Sequence, residues 1–283
     1  MIKNILQYKN PLANFNKLIK PDKSKLISDP QDILHKIEEH YKYILRPRNI
    51  NTTLLEKWEK HYTPLSHIKE DWYNNLLKPI THQEISDIIS KLPNQKAPGP
   101  SGISYDLIKP SSEELIPLLL PIFNEILLTQ NIPKNWKNYN IFPISKKPNW
   151  NFNIKETRPI ALTDSFRKIF TKILTNRLNL ILSSNNILSN SNYAGLPNQS
   201  TFQPIQILNS LYNTSKLQPN ELWILSLDIS SAFDSVNINM LNKAMERIKI
   251  PTPFINISLN ILQNRSCQTI TNHGLTNSIN IKE

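Results

Sequence analysis

The run Leu222-Trp-Ile-Leu-Ser-Leu227 restricts the fold more than any other stretch of this chain. It is apolar almost throughout, with one serine, and so reads as a strand buried on both faces of a sheet. Such a strand requires neighbours on both sides and packed layers above and below. At its carboxyl end it delivers Asp228, a carboxylate that is costly to bury unless something positive meets it. Small residues follow at Ser230, Ser231 and Ala232, then Phe233 and Asp234. Small side chains let backbone amides approach an anion, and an aromatic beside an Asp can wall a nucleotide pocket. Met240, Leu241, Ala244, Met245 and Ile248 then recur at helical spacing, and Pro251 closes that helix. Strand, carboxylate, tight turn and helix together make a metal–triphosphate site. Alone, Asp228 would read as a turn cap and Phe233 as core, so the assignment depends on what stands upstream.

Upstream the charge is uneven. The chain carries 33 Lys and Arg against 22 Asp and Glu, a net charge of +11. Between residues 131 and 178 stand ten basic side chains (Lys134, Lys137, Lys146, Lys147, Lys155, Arg158, Arg167, Lys168, Lys172, Arg177) and two acidic ones, Glu156 and Asp164. That concentration suits a polyanion, with nucleic acid the first candidate. A single cysteine, Cys267, excludes a disulfide framework and a cysteine-rich zinc site, and is compatible with a reducing compartment. The amino terminus has no long apolar stretch of the signal-peptide kind, and the run Leu115–Leu128 is broken by prolines, Asn and Glu, so no membrane span is expected. There is no zinc-protease helix motif, Walker loop, dinucleotide fingerprint or nucleophile triad. Glycine occurs four times, at Gly99, Gly102, Gly195 and Gly274, which marks backbone positions with special requirements.

In chain order, residues 1–75 read as a helical lead-in, with a solvated linker over Lys20–Lys25 and a helix from Asp29 or Asp32 to about Ile44, packed loosely on the main body. Thr81-His-Gln-Glu84 and Ser111-Ser-Glu-Glu114 each carry a capping-box pattern ahead of an apolar helix. Pro121 should kink the second of these. Residues 141–147 and 157–163 read as two strands with a basic tip, standing apart as a finger-like hairpin. Asp164 caps a helix with Phe166, Ile169, Phe170, Ile173 and Leu174 inward. Residues 253–264 read as a helix and 265–281 as a hairpin turning at Asn272-His-Gly274.

Five of these strings, in this order, resemble reverse transcriptases, most of all those of non-LTR (LINE-type) retrotransposons. Lys96-Ala-Pro-Gly-Pro-Ser-Gly102-Ile103 is similar to the family's K-A-P-G-x-D-G loop, with Ser101 in place of the usual Asp. The apolar helix followed by Pro133 and Trp136 fits next, and then the hairpin, similar to I-P-K … R-P-I-S-L. Tyr193-Ala-Gly195 through Gln199-Ser200-Thr201 resembles the loop used near the template. Leu227-Asp228-Ile-Ser-Ser-Ala-Phe233-Asp234-Ser-Val resembles the first catalytic motif, D-[ILV]-x-x-A-F-D-x-V.

The resemblance implies an α/β (α+β) fold: the fingers and first half of the palm of a right-hand polymerase, truncated, mostly helical with small sheets, over residues 76–283. It implies RNA-directed DNA synthesis on template RNA from a DNA primer and dNTPs, with two Mg²⁺ ions and action in the nucleus. Asp228 would be the catalytic carboxylate and, with the Ile229 carbonyl, a metal ligand. Lys146 and Arg158 would hold the incoming triphosphate with the amides of Ser231 and Ala232, and Phe233 would exclude a 2′-hydroxyl. Lys147, Lys168, Lys172, Arg177 and Gln199 would contact nucleic acid. The family's second catalytic string, [FY]-A-D-D, is missing, since no Asp-Asp pair occurs in the 283 residues. The chain is therefore expected not to polymerise by itself. The alternatives are a non-catalytic nucleic-acid-binding remnant and an unrelated basic α/β binding protein.

Overall fold

The computed structural model describes residues 15–19, 26–47, 52–217, 221–229, 232–233 and 235–281. The Lys20–Lys25 linker, Ser230, Ser231 and Asp234 lie outside them.

The chain opens with a two-residue pair, β1 (Leu18–Ile19) against β2 (Leu26–Ile27). Helix α1 (Pro30–Ile44) starts where Asp29, in extended backbone, accepts hydrogen bonds from the amides of Gln31 and Asp32. Helix α1 is not a loose lead-in. Ile33 and Ile37 are wholly buried, and with Phe15, Leu18 and Tyr41 they cover one face of the main sheet at Tyr139, Ile141, Cys267 and Ile279. The apolar stripe of this helix is matched by the inward residues of three strands, which is enough to bind it into the body.

A second, larger core is helical. Helices α2 (Thr52–Tyr62) and α3 (His82–Ser90) are followed by the short α4 (Tyr105–Ile108) and by α5 (Ser112–Thr129). Thr81 and Glu84 form the expected reciprocal cap of α3. The matching pattern at Ser111 does not: its backbone sits at φ −97°, ψ 21°, outside the extended region that turns an N-cap side chain onto the first amides, and no side-chain bond forms. Helix α5 runs through Pro117 and Pro121 to Thr129. Phe123 meets Trp136 and Phe170 in an edge-on aromatic group with centroids 5.4–6.1 Å apart.

Strand β3 (Asn138–Ser145) pairs antiparallel with β4 (Thr157–Thr163) in unbroken register from Tyr139↔Thr163 to Ser145↔Thr157. Helix α6 (Ser165–Ser184) follows at once, capped by Asp164, which accepts from the amides of Phe166 and Arg167. Helices α7 (Phe202–Leu217), α8 (Ile238–Arg247) and α9 (Thr252–Leu262) come next. Strand β5 (Arg265–Thr271) then pairs parallel with β3, and β6 (Gly274–Leu275) and β7 (Ile279–Ile281) fold back on β5. The 141–163 hairpin therefore does not stand apart, because β5 builds its base into a five-stranded sheet.

Residues 222–229 are not the central strand of that sheet. They form no regular structure and are exposed, Trp223 at 86 % and Leu227 at 82 %. A run apolar on both faces becomes a strand only where other strands take its N–H and C=O groups and layers cover both faces. Here β3 is already flanked by β4 and β5, and nothing among the described residues pairs with 222–229. Helix α7 shares this character: Phe202, Ile205, Leu208 and Leu211 all face outward, and no residue of the helix is buried.

Candidate functional site

The fingertip is built by the β3–β4 ladder. The amide of Lys146 donates to the Glu156 carbonyl at 2.8 Å, continuing the ladder past Ser145. Lys146 Nζ donates to the Lys155 carbonyl at 2.8 Å, so its ammonium lies along the tip. Arg158 stands opposite Ile144, and strand alternation places it on the face shared by Ile144 and Lys146. It is exposed, as are Lys147 and Lys155. Lys147 reaches Glu156 at 3.8 Å, a solvent-facing pair worth little. His40 of α1 lies beneath this tip. Burial, then the charges of Lys155 and Lys146, hold its pKa down to about 4, so it is neutral there. The turn between the strands takes left-handed backbone at Asn151 and Phe152.

The Lys96–Gly102 loop is more than a surface turn. Gly99 is buried against the end of β4, where a Cβ would lie 2.4 Å from the carbonyl carbon and oxygen of Thr163. Gly102 takes φ +74° to close the turn, its amide donating to the Gly99 carbonyl. Ser165 Oγ donates to the Ile103 carbonyl at 2.6 Å. The loop is thus clamped onto the β4–α6 junction, and so sets where α6 leaves the hairpin. On α6, Lys168 lies 5.7 Å from the Tyr105 ring centre, its pKa lowered by burial, while Lys172 is exposed.

Arg177 belongs elsewhere. Its Nε and Nη2 donate to the two carboxylate oxygens of Glu84 at 2.7 and 2.8 Å. Its remaining donors meet the carbonyls of Leu76, Lys78 and Pro79. All the N–H groups of a guanidinium are thereby used, which leaves none for a phosphate. The expectation that Arg177 contacts nucleic acid is corrected: it ties α6 to α3 and the segment before it. The sequence carried a hint in Glu84, whose capping role fixes a carboxylate within reach.

Asp228, Ile229 and Phe233 are exposed, Phe233 at 96 %, and Gln199 lies in an exposed loop. Ala232 stands in a turn, and Ser231 is outside the described residues. The structure thus gathers Lys146 and Arg158 on one face, and leaves the Asp228 segment open to solvent. Sequence reasoning missed one group that the fold assembles: Lys134, Lys137 and Arg265 line a single cleft. Only the first two were visible, as part of the basic run.

Residues 144–281, from the fingertip through the last strand, match the family described as reverse transcriptase (RNA-dependent DNA polymerase). That segment of the chain is similar to reverse transcriptases. Over 189 residues it is 28 % identical to a probable RNA-directed DNA polymerase from transposon BS of Drosophila melanogaster, covering 67 % of this chain and 21 % of that protein. Over 102 residues it is 32 % identical to the RNA-directed DNA polymerase from mobile element jockey of the same fly, covering 36 % of this chain and 11 % of the relative. A transposon TX1 protein of 149 kDa from Xenopus laevis is 22 % identical over 251 residues, 88 % of this chain and 19 % of that one. The chain thus spans about a fifth of the length of the broadest of these matches. The proteins it resembles are named as RNA-directed DNA polymerases of transposons, and the mixed α/β architecture with small sheets is consistent with a fingers and palm domain.

Reverse transcriptases work with divalent metal ions. Asp228 and the Ile229 carbonyl are the candidate ligands, but among the described residues no three His, Cys, Asp or Glu side chains stand together. One exposed carboxylate does not fit a two-ion site, which needs bridging carboxylates. No helix among the described residues is long and apolar enough to cross a membrane.

Proposed function

We propose that this chain supplies the fingers and first part of the palm of a non-LTR retrotransposon polymerase, copying template RNA onto a DNA primer from dNTPs. The observation that carries the reading is the fingertip, where Lys146 and Arg158 share one face of a hairpin inside the matched region. Two cations there offset the charge of a triphosphate, and a guanidinium adds a planar two-pronged donor. Asp228 supplies one catalytic carboxylate, and Phe233 limits the sugar to the deoxy form. Lys147, Lys168, Lys172 and Gln199 meet the template and primer, and Mg²⁺ is the metal once further carboxylates complete the site. The exposed run at 222–229 and the outward apolar face of α7 would be covered by the rest of the palm, since large exposed apolar patches mark interaction surfaces. Residues 76–283 form the polymerase part and residues 1–75 its helical approach.

A second reading is a nucleic-acid-binding remnant without catalysis, for which the basic fingertip alone suffices. Primer extension on an RNA template separates the two. The chain alone is expected to give no extension. Joined to the palm carboxylates of a relative, it should extend. Asp228→Asn should then lower the rate about a thousandfold or more, equivalent to roughly 4 kcal/mol of transition-state stabilisation. Phe233→Ala should preserve synthesis while raising ribonucleotide incorporation. Robust extension by Asp228→Asn would overturn the catalytic assignment, and failure of the joined protein with intact RNA binding would leave the remnant.

A further inference from the structure

A second basic site stands at the end of the sheet opposite the fingertip. Asn138, Ser266 and Asn280 are aligned across β3, β5 and β7, each paired with the next. They form one polar row, joined where Ser266 Oγ donates to Asn138 Oδ1 at 2.9 Å. Over this row opens a cleft of about 520 Å³ whose cations are Lys134, Lys137 and Arg265. No acidic and no aromatic side chain lines it among the described residues. Lys137 is held in place by Asn260 Oδ1, which accepts from its Nζ at 2.5 Å. Behind the cleft, half-buried Arg167 donates to the Trp136 carbonyl at 2.7 Å. Its pKa falls to about 10, through burial first and then through the positive charge of Arg265, while Asp164 and Tyr139 act in the opposite direction. Asp164 is already committed to the cap of α6. Positive charges thus gather here from three stretches far apart in sequence.

From this arrangement we infer that the cleft formed by Lys134, Lys137 and Arg265 over the Asn138–Ser266–Asn280 row binds a phosphate of a nucleic-acid strand. A cleft lined by cations, amides and a hydroxyl, without a carboxylate, recognises an anion. The cleft combines one guanidinium and two ammonium charges, and such a cluster of positive charge suits phosphate oxygens. With no ring to stack on, a base gains little, so recognition is of the backbone and independent of sequence. The site is separate from the fingertip: β3 and the step after it to Lys146 cover roughly 26 Å of extended chain from Asn138. A strand engaged at both would run the length of the sheet edge.

This inference rests on the chain being a nucleic-acid binder, and the test keeps the two apart. The affinity of the full chain for a single-stranded RNA is measured by fluorescence anisotropy across a salt series, for the wild type and three variants. Each lost phosphate contact reduces the slope of log affinity against log salt by about 0.7 for a single strand. Lys134→Ala with Lys137→Ala should weaken binding, and adding Arg265→Ala should empty the site and lower the slope by about 0.7, the increment of one phosphate. Lys134→Glu guards against misfolding, since Lys134 is exposed, and should weaken binding more than Lys134→Ala. The fingertip pair Lys146→Ala with Arg158→Ala should subtract its own increment independently. An unchanged slope in the triple cleft variant, with wild-type RNA binding intact, overturns the site and leaves the polymerase reading standing. No salt-dependent RNA binding by the wild type overturns both. Calorimetric titration of inorganic phosphate is the last arm: binding that the cleft variants abolish while their RNA slope stays unchanged assigns the cleft to a free anion and overturns the strand assignment.

Discussion

Replacing Arg177 by alanine should unfold the protein more easily and leave its RNA binding alone. The side chain is 12 % exposed and its partner Glu84 33 %, so the pair lies between a surface bridge and a buried one. Surface pairs contribute about 0–1 kcal/mol, and breaking a buried pair costs about 3–5 kcal/mol. The truncation also strands the carbonyls of Leu76, Lys78 and Pro79, each of which loses a charged donor. A loss of about 2–4 kcal/mol follows, or roughly 5–10 °C in Tm for a domain of this size. Arg177→Lys should recover little, because an ammonium cannot span both oxygens of Glu84 and three carbonyls. Glu84→Gln combined with Arg177→Ala should show a coupling of about 1–2 kcal/mol in a double-mutant cycle. The Arg177 guanidinium holds the Glu84 carboxyl below its usual pKa. That stabilisation is present above the ordinary Glu range and is lost as pH falls through the lowered value, so the wild type and Arg177→Ala should converge in Tm in acid. The assays are thermal unfolding by circular dichroism and the RNA salt series. An Arg177→Ala protein with unchanged Tm and a salt slope reduced by about 0.7 would refute the argument and restore Arg177 as a phosphate ligand.

Gly99→Ala should destabilise by at least about 1–3 kcal/mol, because its Cβ would collide with the Thr163 carbonyl and push the 96–102 loop off the β4–α6 junction; an unchanged denaturation midpoint would contradict that contact. His40, neutral in the fold with a pKa near 4 against 6.5 when unfolded, makes stability fall as pH drops from about 6.5 towards 4, since only the unfolded chain takes up the proton there. His40→Gln should flatten urea midpoints across that window, and a wild-type midpoint already constant over it would show that His40 is not buried beneath the tip.

Features that depend on a few neighbouring residues were legible in the sequence. Asp29 and Asp164 cap their helices and Thr81 with Glu84 closes a capping box, because each motif carries both its donor and its acceptor. The turn at Asn272–His273 brings Thr271 opposite Gly274, as the glycine there suggests. Ser111 shows the limit even of local patterns, since its side chain fits the motif while its backbone dihedrals do not.

Tertiary structure decided the rest, because it concerns partners distant in sequence. The Leu222–Leu227 run has a strand's composition, yet strand formation needs hydrogen-bonding neighbours, and the sides of β3 are taken by β4 and β5. The basic stretch from 131 to 178 looked like one surface, but turning into and out of the hairpin divides it. Lys146 and Arg158 go to the tip, Lys134 and Lys137 go to the far end beside Arg265, and Arg177 goes to an ion pair 93 residues away in sequence. Charge along the chain suits a polyanion. Which cations remain available depends on the carboxylates and carbonyls that folding brings against them, and those are set by packing rather than by any neighbour in the sequence.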